Sequence, residues 1–389
     1  MCIAGGIPSQ SDRWVGSKFL KAKAKLKVGI TIAEAQDAQA MLWANGLSQN
    51  IVYLALLLRR LPIVGEVGLV CDVRPHAVAD AYGLPVWTLE ETVGHCDVVI
   101  ELGLRSLGGE LLERLRKRGG KLISFVAGNV MAFNFEALAH GRNAGEVVMK
   151  HRFDAVWLLP QHWHMCRSYC SMIGSPNVHQ IPVLWDPVFL DHTAALMRKT
   201  VFWREPEDRK YTLGCFDPNI NALKTFHLPL LVTEEAYRAD KSRIDKLLLF
   251  SALRLKESRH VTEMILATEI GKDGRISLED RHSLVHVLGS HVHAVVTHQW
   301  ENNRNYLYYE LLYLGWPLIH NVPSLKDAGY YYEDFNPQDG GRALLEALRG
   351  HPKIRIDQRD AIREALWSVS VNNPANQDRY SELLLQVMG

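Results

Sequence analysis

Two rhythms alternate along this chain. Short apolar runs rich in β-branched residues are separated by longer stretches whose apolar positions fall at helical spacing, which predicts a parallel, doubly wound sheet. The first series of runs comprises Leu26–Ile32, Val67–Cys71, Val98–Leu102, Lys121–Val126, Ala155–Leu159 and Val178–Leu184. Helical patterns lie between them, at Ser48–Leu61 with Ser48 as cap, before Arg118, and at Phe133–His140. Asp186–Lys210 is polar and carries Pro187 and Pro206, the composition of a linker. A second series then begins: Tyr211–Cys215, Leu230–Thr233, Leu247–Ala252, Arg275–Ser277, Ala294–Thr297 and Trp316–Ile319. The pattern therefore divides the chain into an extension (1–25), a first α/β domain (26–195), a second (196–358) and a helical tail (359–389) broken at Asn372–Ala375. No G-x-G-x-x-G follows the first run, which weighs against a dinucleotide-dependent oxidoreductase.

The densest cluster of polar groups falls between two of these runs. After Ala294–Thr297 come His298, Gln299, Glu301, Asn302, Asn303, Arg304 and Asn305, more than a connection needs. A helix then carries Leu307, Leu311, Leu312 and Leu314, with Asn302 or Asn303 as cap and Gly315 as its stop. In a parallel sheet, ligands bind at the carboxyl ends of strands. This loop, with Glu310 on its helix, is accordingly the leading candidate site.

Glu310, followed by Gly315, Trp316, Pro317 and Leu318, resembles the donor-binding segment of GT-B glycosyltransferases. In that superfamily an acid or amide stands eight positions before a helix glutamate that holds the ribose of a nucleotide sugar. Here Asn302 occupies that earlier position and Glu301 stands one residue before it. With Tyr306, Tyr308 and the run Gly329–Tyr332, the pattern is similar to a bacterial family of unassigned glycosyltransferase-like proteins. The resemblance implies two Rossmann-like domains facing a central cleft, with a nucleotide sugar on the second domain, a UDP-sugar by default, and an acceptor on the first. It also implies that the tail crosses back onto the first domain. Asn302, Asn303, Asn305 and His298 would then contact phosphate or sugar. The acceptor stays open among glycan, protein, lipid and nucleic acid base.

Further groups fit that frame. Asn219 and Lys224 follow the strand ending at Cys215, where the start of a helix would welcome phosphate; Asp217 is expected to cap that helix. Arg254, after the third run of the second domain, can grip a diphosphate with two parallel hydrogen bonds. On the first domain Gly46, Ser48, Gln49, Gly128 and Asn129 lie at loop-to-helix junctions expected to face the acceptor. Glu101, His162 and His164, at strand ends, compete for the role of general base. No D-x-D flanked by apolar runs occurs and the His/Cys spacings are loose, so neither a metal nor another cofactor is expected. A binding protein without turnover and a nucleotide-sugar epimerase use the same frame and remain alternatives.

Composition narrows the classes. With 389 residues, 47% hydrophobic and 22% charged, the chain affords two ordinary globular cores. A net charge of +1 argues against a broad nucleic-acid surface, and the run Lys21, Lys23, Lys25 and Lys27 reads as a solvated arm. Six cysteines without a paired framework, and no apolar run of membrane-spanning length, point to a cytoplasmic protein with reduced thiols.

Overall fold

The computed structural model describes residues 25–34, 37, 46–102, 106–141, 153–198, 200–288 and 290–389. The expected extension, including Lys21 and Lys23, lies outside the described residues. Among those described, two parallel sheets form. The first contains β1 (Leu26–Thr31), β2 (Val64–Val70), β3 (Val86–Trp87), β4 (Val98–Glu101), β5 (Lys121–Val126), β6 (Ala155–Leu158) and β7 (Val178–Gln180), in the order β3-β2-β1-β4-β5-β6-β7. The second contains β8 (Tyr211–Cys215), β9 (Ile244–Leu249), β10 (Ile276–Leu278), β11 (Ala294–Val296), β12 (Leu318–His320) and β13 (Tyr330–Tyr331), in the order β10-β9-β8-β11-β12-β13.

In each sheet the chain starts at the centre, runs to one edge, then returns to fill the other side. The loops leaving β1 and β4, and those leaving β8 and β11, therefore diverge to opposite faces and open a crevice at the strands' carboxyl ends. Helices cover both faces, which is why the central strands read as continuous apolar runs: Val98, Val99 and Ile100 are all fully buried.

Three expectations are corrected. Leu230–Thr233 is not a strand but part of the helix His227–Ala239, because Leu230, Val232, Thr233, Ala236 and Tyr237 share a buried stripe. That helix packs closely on the helix Pro337–Asp357: a Cβ on Gly340 would meet Val232 Cγ2 at 2.5 Å. The segment Asp186–Lys210 is not wholly a linker, since Val188–Met197 forms a helix and buries Phe189 against Tyr53 and Tyr82 at ring separations of 4.9 and 5.5 Å. The boundary at 196 falls inside it. Nor does a helix follow Pro218. Asn221–Lys224 close a short turn instead, and the helix begins only at His227.

The tail forms the helices Arg359–Ser368 and Pro374–Met388. It packs on the first domain: Tyr380 lies edge-on to Trp157 at 5.5 Å, and its hydroxyl donates to the Pro182 carbonyl at 3.0 Å. One apolar cluster runs unbroken from Ile51 and Tyr53 through Tyr308, Leu311 and Trp316 to Tyr380 and Leu384. A second, around Leu213, Leu230 and Leu344, belongs to the second domain alone.

Candidate functional site

Because β8 and β11 are neighbours, their carboxyl ends bring Asp217 against Thr297, His298 and Gln299. Asp217 is 1% exposed. Its carboxylate accepts hydrogen bonds from Thr297 Oγ1 and Gln299 Nε2, both at 3.2 Å, and from the His298 amide at 3.4 Å. Burial nevertheless pushes its pKa up to about 7, against those bonds and the nearby Lys224. Asp217 thus does not cap a helix; it anchors the crevice. Lys224 is half-buried, and burial lowers the pKa of its ammonium while Asp217 raises it. Among the described residues the Lys224 ammonium forms no hydrogen bond or ion pair.

Glu310 projects from the helix Tyr306–Leu314 into a cavity of about 200 Å³ that Lys224 also lines. Only 5% of it is exposed, no hydrogen bond reaches its carboxyl among the described residues, and burial pushes its pKa up to about 8. Asn305, rather than Asn302 or Asn303, caps this helix, accepting from the Leu307 amide at 3.2 Å. Phe216 and Phe250, each the first residue after a strand, stack 4.5 Å apart on the same cavity, whose rim continues through Ser251, Arg281 and His282. Sequence reasoning missed this aromatic pair; an aromatic directly after each of two neighbouring strands was the available signal.

A second cavity, of about 610 Å³, adjoins the first, and Gly46, Lys224 and Asn305 line both. Its first-domain wall includes Leu47, Phe125, Gly128, Phe133, Leu159 and Gln161; the second domain adds Asn302, Arg304 and Tyr306. A Cβ at Gly46 would lie in ordinary contact with the Tyr306 ring, at 3.5 Å. Gln49 lines the smaller cavity, while Ser48 is buried beneath it in the same helix, Gly46–Leu58. Asn129 caps the helix Val130–Ala139 through the Ala132 amide at 3.0 Å, and its Nδ2 donates to the Glu301 carbonyl at 3.3 Å across the cleft. Glu136 makes a second crossing by accepting from the Ala222 amide.

His162 is 1% exposed and lines neither cavity; its ring sits against the main chain of Ala127 and Glu301 without a well-formed hydrogen bond among the described residues. Burial lowers its pKa to about 4, outweighing the pull of the Ala127 and Glu301 main chain, so the ring is neutral near pH 7. The other two residues expected to be catalytic, Glu101 and His164, line neither cavity either. The Glu101 carboxylate accepts from the Leu107 amide at 2.5 Å and the Ser106 hydroxyl at 3.4 Å, so it folds its own loop; burial pushes its pKa up to about 7. His164 is exposed on the helix Trp163–Ile173 and lines neither cavity.

Several expected donor contacts are also occupied elsewhere. Asn219 is spent on its own loop, donating to the Asp217 carbonyl at 2.9 Å and accepting from the Phe226 amide at 2.9 Å. Arg254 is exposed, and its guanidinium donates to the Asn219 carbonyl. Asn303 is exposed outside both cavities. His298 turns behind the cleft to Tyr332, Nδ1 to hydroxyl 3.0 Å, and burial lowers its pKa to about 4. Among the described residues no group of three His, Cys, Asp or Glu is arranged to hold a metal ion.

Backbone strain gathers at the same rim. Asn219 (φ 54), Ser251 (φ 56) and Glu301 (φ 49) follow β8, β9 and β11 in the left-handed region. None is glycine, so tertiary packing holds each in a conformation L-residues avoid.

One protein-family model, described as protein of unknown function (DUF2827), matches residues 28–384. The chain belongs to the DUF2827 family. No curated protein matches the DUF2827 chain. Among solved structures, the N-terminal domain of Candida albicans trehalose-6-phosphate phosphatase is 12% identical at a TM-score of 0.59, over 94% of this chain and 98% of that one. A Thermobaculum terrenum O-GlcNAc transferase is 14% identical at 0.54, over 94% and 68%. A glycosyltransferase from Rickettsia africae ESF-5 is 12% identical at 0.53, over 94% and 99%. At such identities the likeness concerns the fold, and the fold of the DUF2827 chain is GT-B: two Rossmann-like domains around a cleft.

Proposed function

We propose that this DUF2827 protein is a glycosyltransferase that moves a sugar from a nucleotide diphosphate sugar on the second domain to an acceptor in the first-domain cavity. One observation carries the reading. The carboxyl of Glu310 and the ammonium of Lys224, neither with a hydrogen-bond or ion-pair partner among the described residues, share a 200 Å³ cavity that adjoins a 610 Å³ cavity walled by both domains. A buried carboxylate without a donor is complementary to a vicinal diol, whose two hydroxyls can both donate to it; the ribose of a nucleotide supplies one. A half-buried ammonium without an ion-pair partner among the described residues is complementary to a diphosphate, and it stabilises the charge that gathers on the diphosphate as the glycosidic bond breaks. Asn305 lines both cavities, Asn302 and Arg304 the larger one, and we assign them to the transferred sugar and the phosphates. Stacked Phe216 and Phe250 offer an apolar wall beside them.

For the acceptor hydroxyl, His162 is the first-domain base we favour: it is neutral near pH 7 and follows the cavity-lining Gln161, one step behind the wall. The likeness in fold to the Rickettsia glycosyltransferase and the Thermobaculum O-GlcNAc transferase agrees with this reading. The test is thermal unfolding with a panel of nucleoside diphosphates and nucleotide sugars, followed by incubation with the stabilising sugar and assay for free nucleoside diphosphate. Selective stabilisation lost in Glu310→Ala is expected. Equal stabilisation of the folded Glu310→Ala protein would overturn the assignment.

A further inference from the structure

The C-terminal end of the helix Tyr306–Leu314 borders a cavity that the reaction does not use. About 440 Å³ in volume, it lies where the crossover between the domains meets the tail. Trp185 and Pro187 come from the crossover, Leu312 and Tyr313 from the end of that helix, and Ile362, Leu366 and Trp367 from the tail helix Arg359–Ser368. No residue of this tail helix is fully buried. Ile362, Ala365 and Leu366 pack against the main apolar cluster only in part, leaving a groove with Trp367 51% exposed at its edge.

The groove is not simply apolar. Arg355, Arg359 and Arg363 all line it. A single carboxylate faces two of them: Asp360 lies 3.8 Å from Arg359 and 3.2 Å from Arg363. The Arg355 guanidinium lies over Gly315, at the C-terminal end of Tyr306–Leu314, with no carboxylate partner among the described residues. Trp185, 3% exposed, has its indole N–H buried without an acceptor. An apolar floor of this volume, with a few convergent charged groups of one sign, is the composition of a small-molecule site. Guanidinium groups match phosphate with paired hydrogen bonds, and indole rings take a flat apolar body.

We infer that this groove binds an organic phosphate, an apolar ring-sized body carrying the anion, at a site separate from the reaction cleft. The body lies between Trp185, Tyr313 and Trp367, and the phosphate faces Arg359 and Arg363. Its occupant touches Leu312 and Tyr313, the latter one helical turn from Glu310 on the same helix. The site is therefore placed to link occupancy of the groove to the position of the cleft.

The inference stands apart from the glycosyltransferase reading, and its test uses probes that lack a ribose. Isothermal titration of the full chain with 1-naphthyl phosphate and with inorganic phosphate measures the contribution of the body. We expect naphthyl phosphate to bind at least about tenfold more tightly than inorganic phosphate. The double variant Arg359→Glu/Arg363→Glu, at two largely exposed side chains, should lose at least tenfold in affinity with an unchanged unfolding midpoint. Trp367→Ala should erase most of the difference between the two probes. Equal affinity of wild type and the charge-reversed variant, or no binding of either probe at millimolar concentration, would overturn the inference. So would arginine-dependent binding to phosphatidylglycerol vesicles alone, because the groove would then meet a lipid surface and not a soluble phosphate.

Discussion

Asn129 Nδ2 donates to the main-chain carbonyl of Glu301 at 3.3 Å, so the first domain grips the second at a residue held at positive φ. The same Asn129 caps the helix that walls the larger cavity. Closure of the cleft and order in its wall therefore share one side chain.

Asn129→Ser separates the two roles, since serine keeps a capping oxygen but loses the amide donor. The helix should persist with a stability loss under about 1 kcal/mol, while the cleft opens. Small-angle scattering should report a larger radius of gyration for the variant, and donor affinity should fall. An unchanged radius and affinity would remove Asn129 as a latch.

Glu310 sets a pH dependence. Its folded pKa, raised to about 8, lies above the unfolded carboxyl value, so the folded protein holds a proton that the unfolded chain releases. Stability from this group is complete below about pH 4.5 and is lost as pH rises through 8. Glu310→Gln, neutral at every pH, should be nearly as stable as wild type at pH 5 and more stable at pH 8.5 by several kcal/mol, about 1.4 kcal/mol for each pH unit between the two pKa values. Donor binding has the opposite sign, because diol hydroxyls favour the carboxylate; wild-type affinity should rise between pH 6.5 and 8.5 and Glu310→Gln should show no such rise. Paired melting and binding curves at the two pH values check both signs.

Lys224→Met keeps the length of the side chain and removes its charge. Nucleoside diphosphate affinity should fall roughly 10- to 100-fold, the worth of one charged hydrogen bond, while the bare nucleoside binds as before. Equal losses for both ligands would place the effect in the fold and not in phosphate recognition.

Asp217→Ala leaves Thr297 Oγ1, Gln299 Nε2 and the His298 amide facing an apolar gap. A loss of about 2–4 kcal/mol is expected by urea denaturation, with Asp217→Asn less damaging because one acceptor oxygen survives. A loss below 1 kcal/mol for the alanine variant would mean the network contributes little to holding the crevice.

Particular residues mark how far the pattern could be read. Tyr211–Cys215 is a strand with the boundaries its composition predicts, because a buried parallel strand needs an unbroken apolar run and nothing longer. Leu230–Thr233 has the same composition and is helical, because four apolar residues satisfy either period and only packing against Gly340 and Gly341 chooses between them. Among site residues, Glu310, Asn302, Asn305, Gly46, Gln49, Gly128 and Lys224 do line the two cavities. Glu101, His164, Asn219 and Arg254 stand equally close to strand ends in sequence, yet each is exposed or committed to its own loop. Position along a strand is local, whereas the direction a side chain takes after the strand depends on the loop's own hydrogen bonds.

By itself the sequence determined the alternation of strands and helices, the presence of two α/β units and the polar loop between β11 and its helix, because each follows from the spacing of residues close along the chain. Tertiary structure alone decided that Asp217 lies buried against Thr297 and Gln299, that Lys224 and Glu310 meet in one cavity, and that Asn129 reaches Glu301. Those contacts join residues tens to hundreds of positions apart, and they exist only because the strand order of each sheet reverses and one apolar core ties the two domains and the tail together.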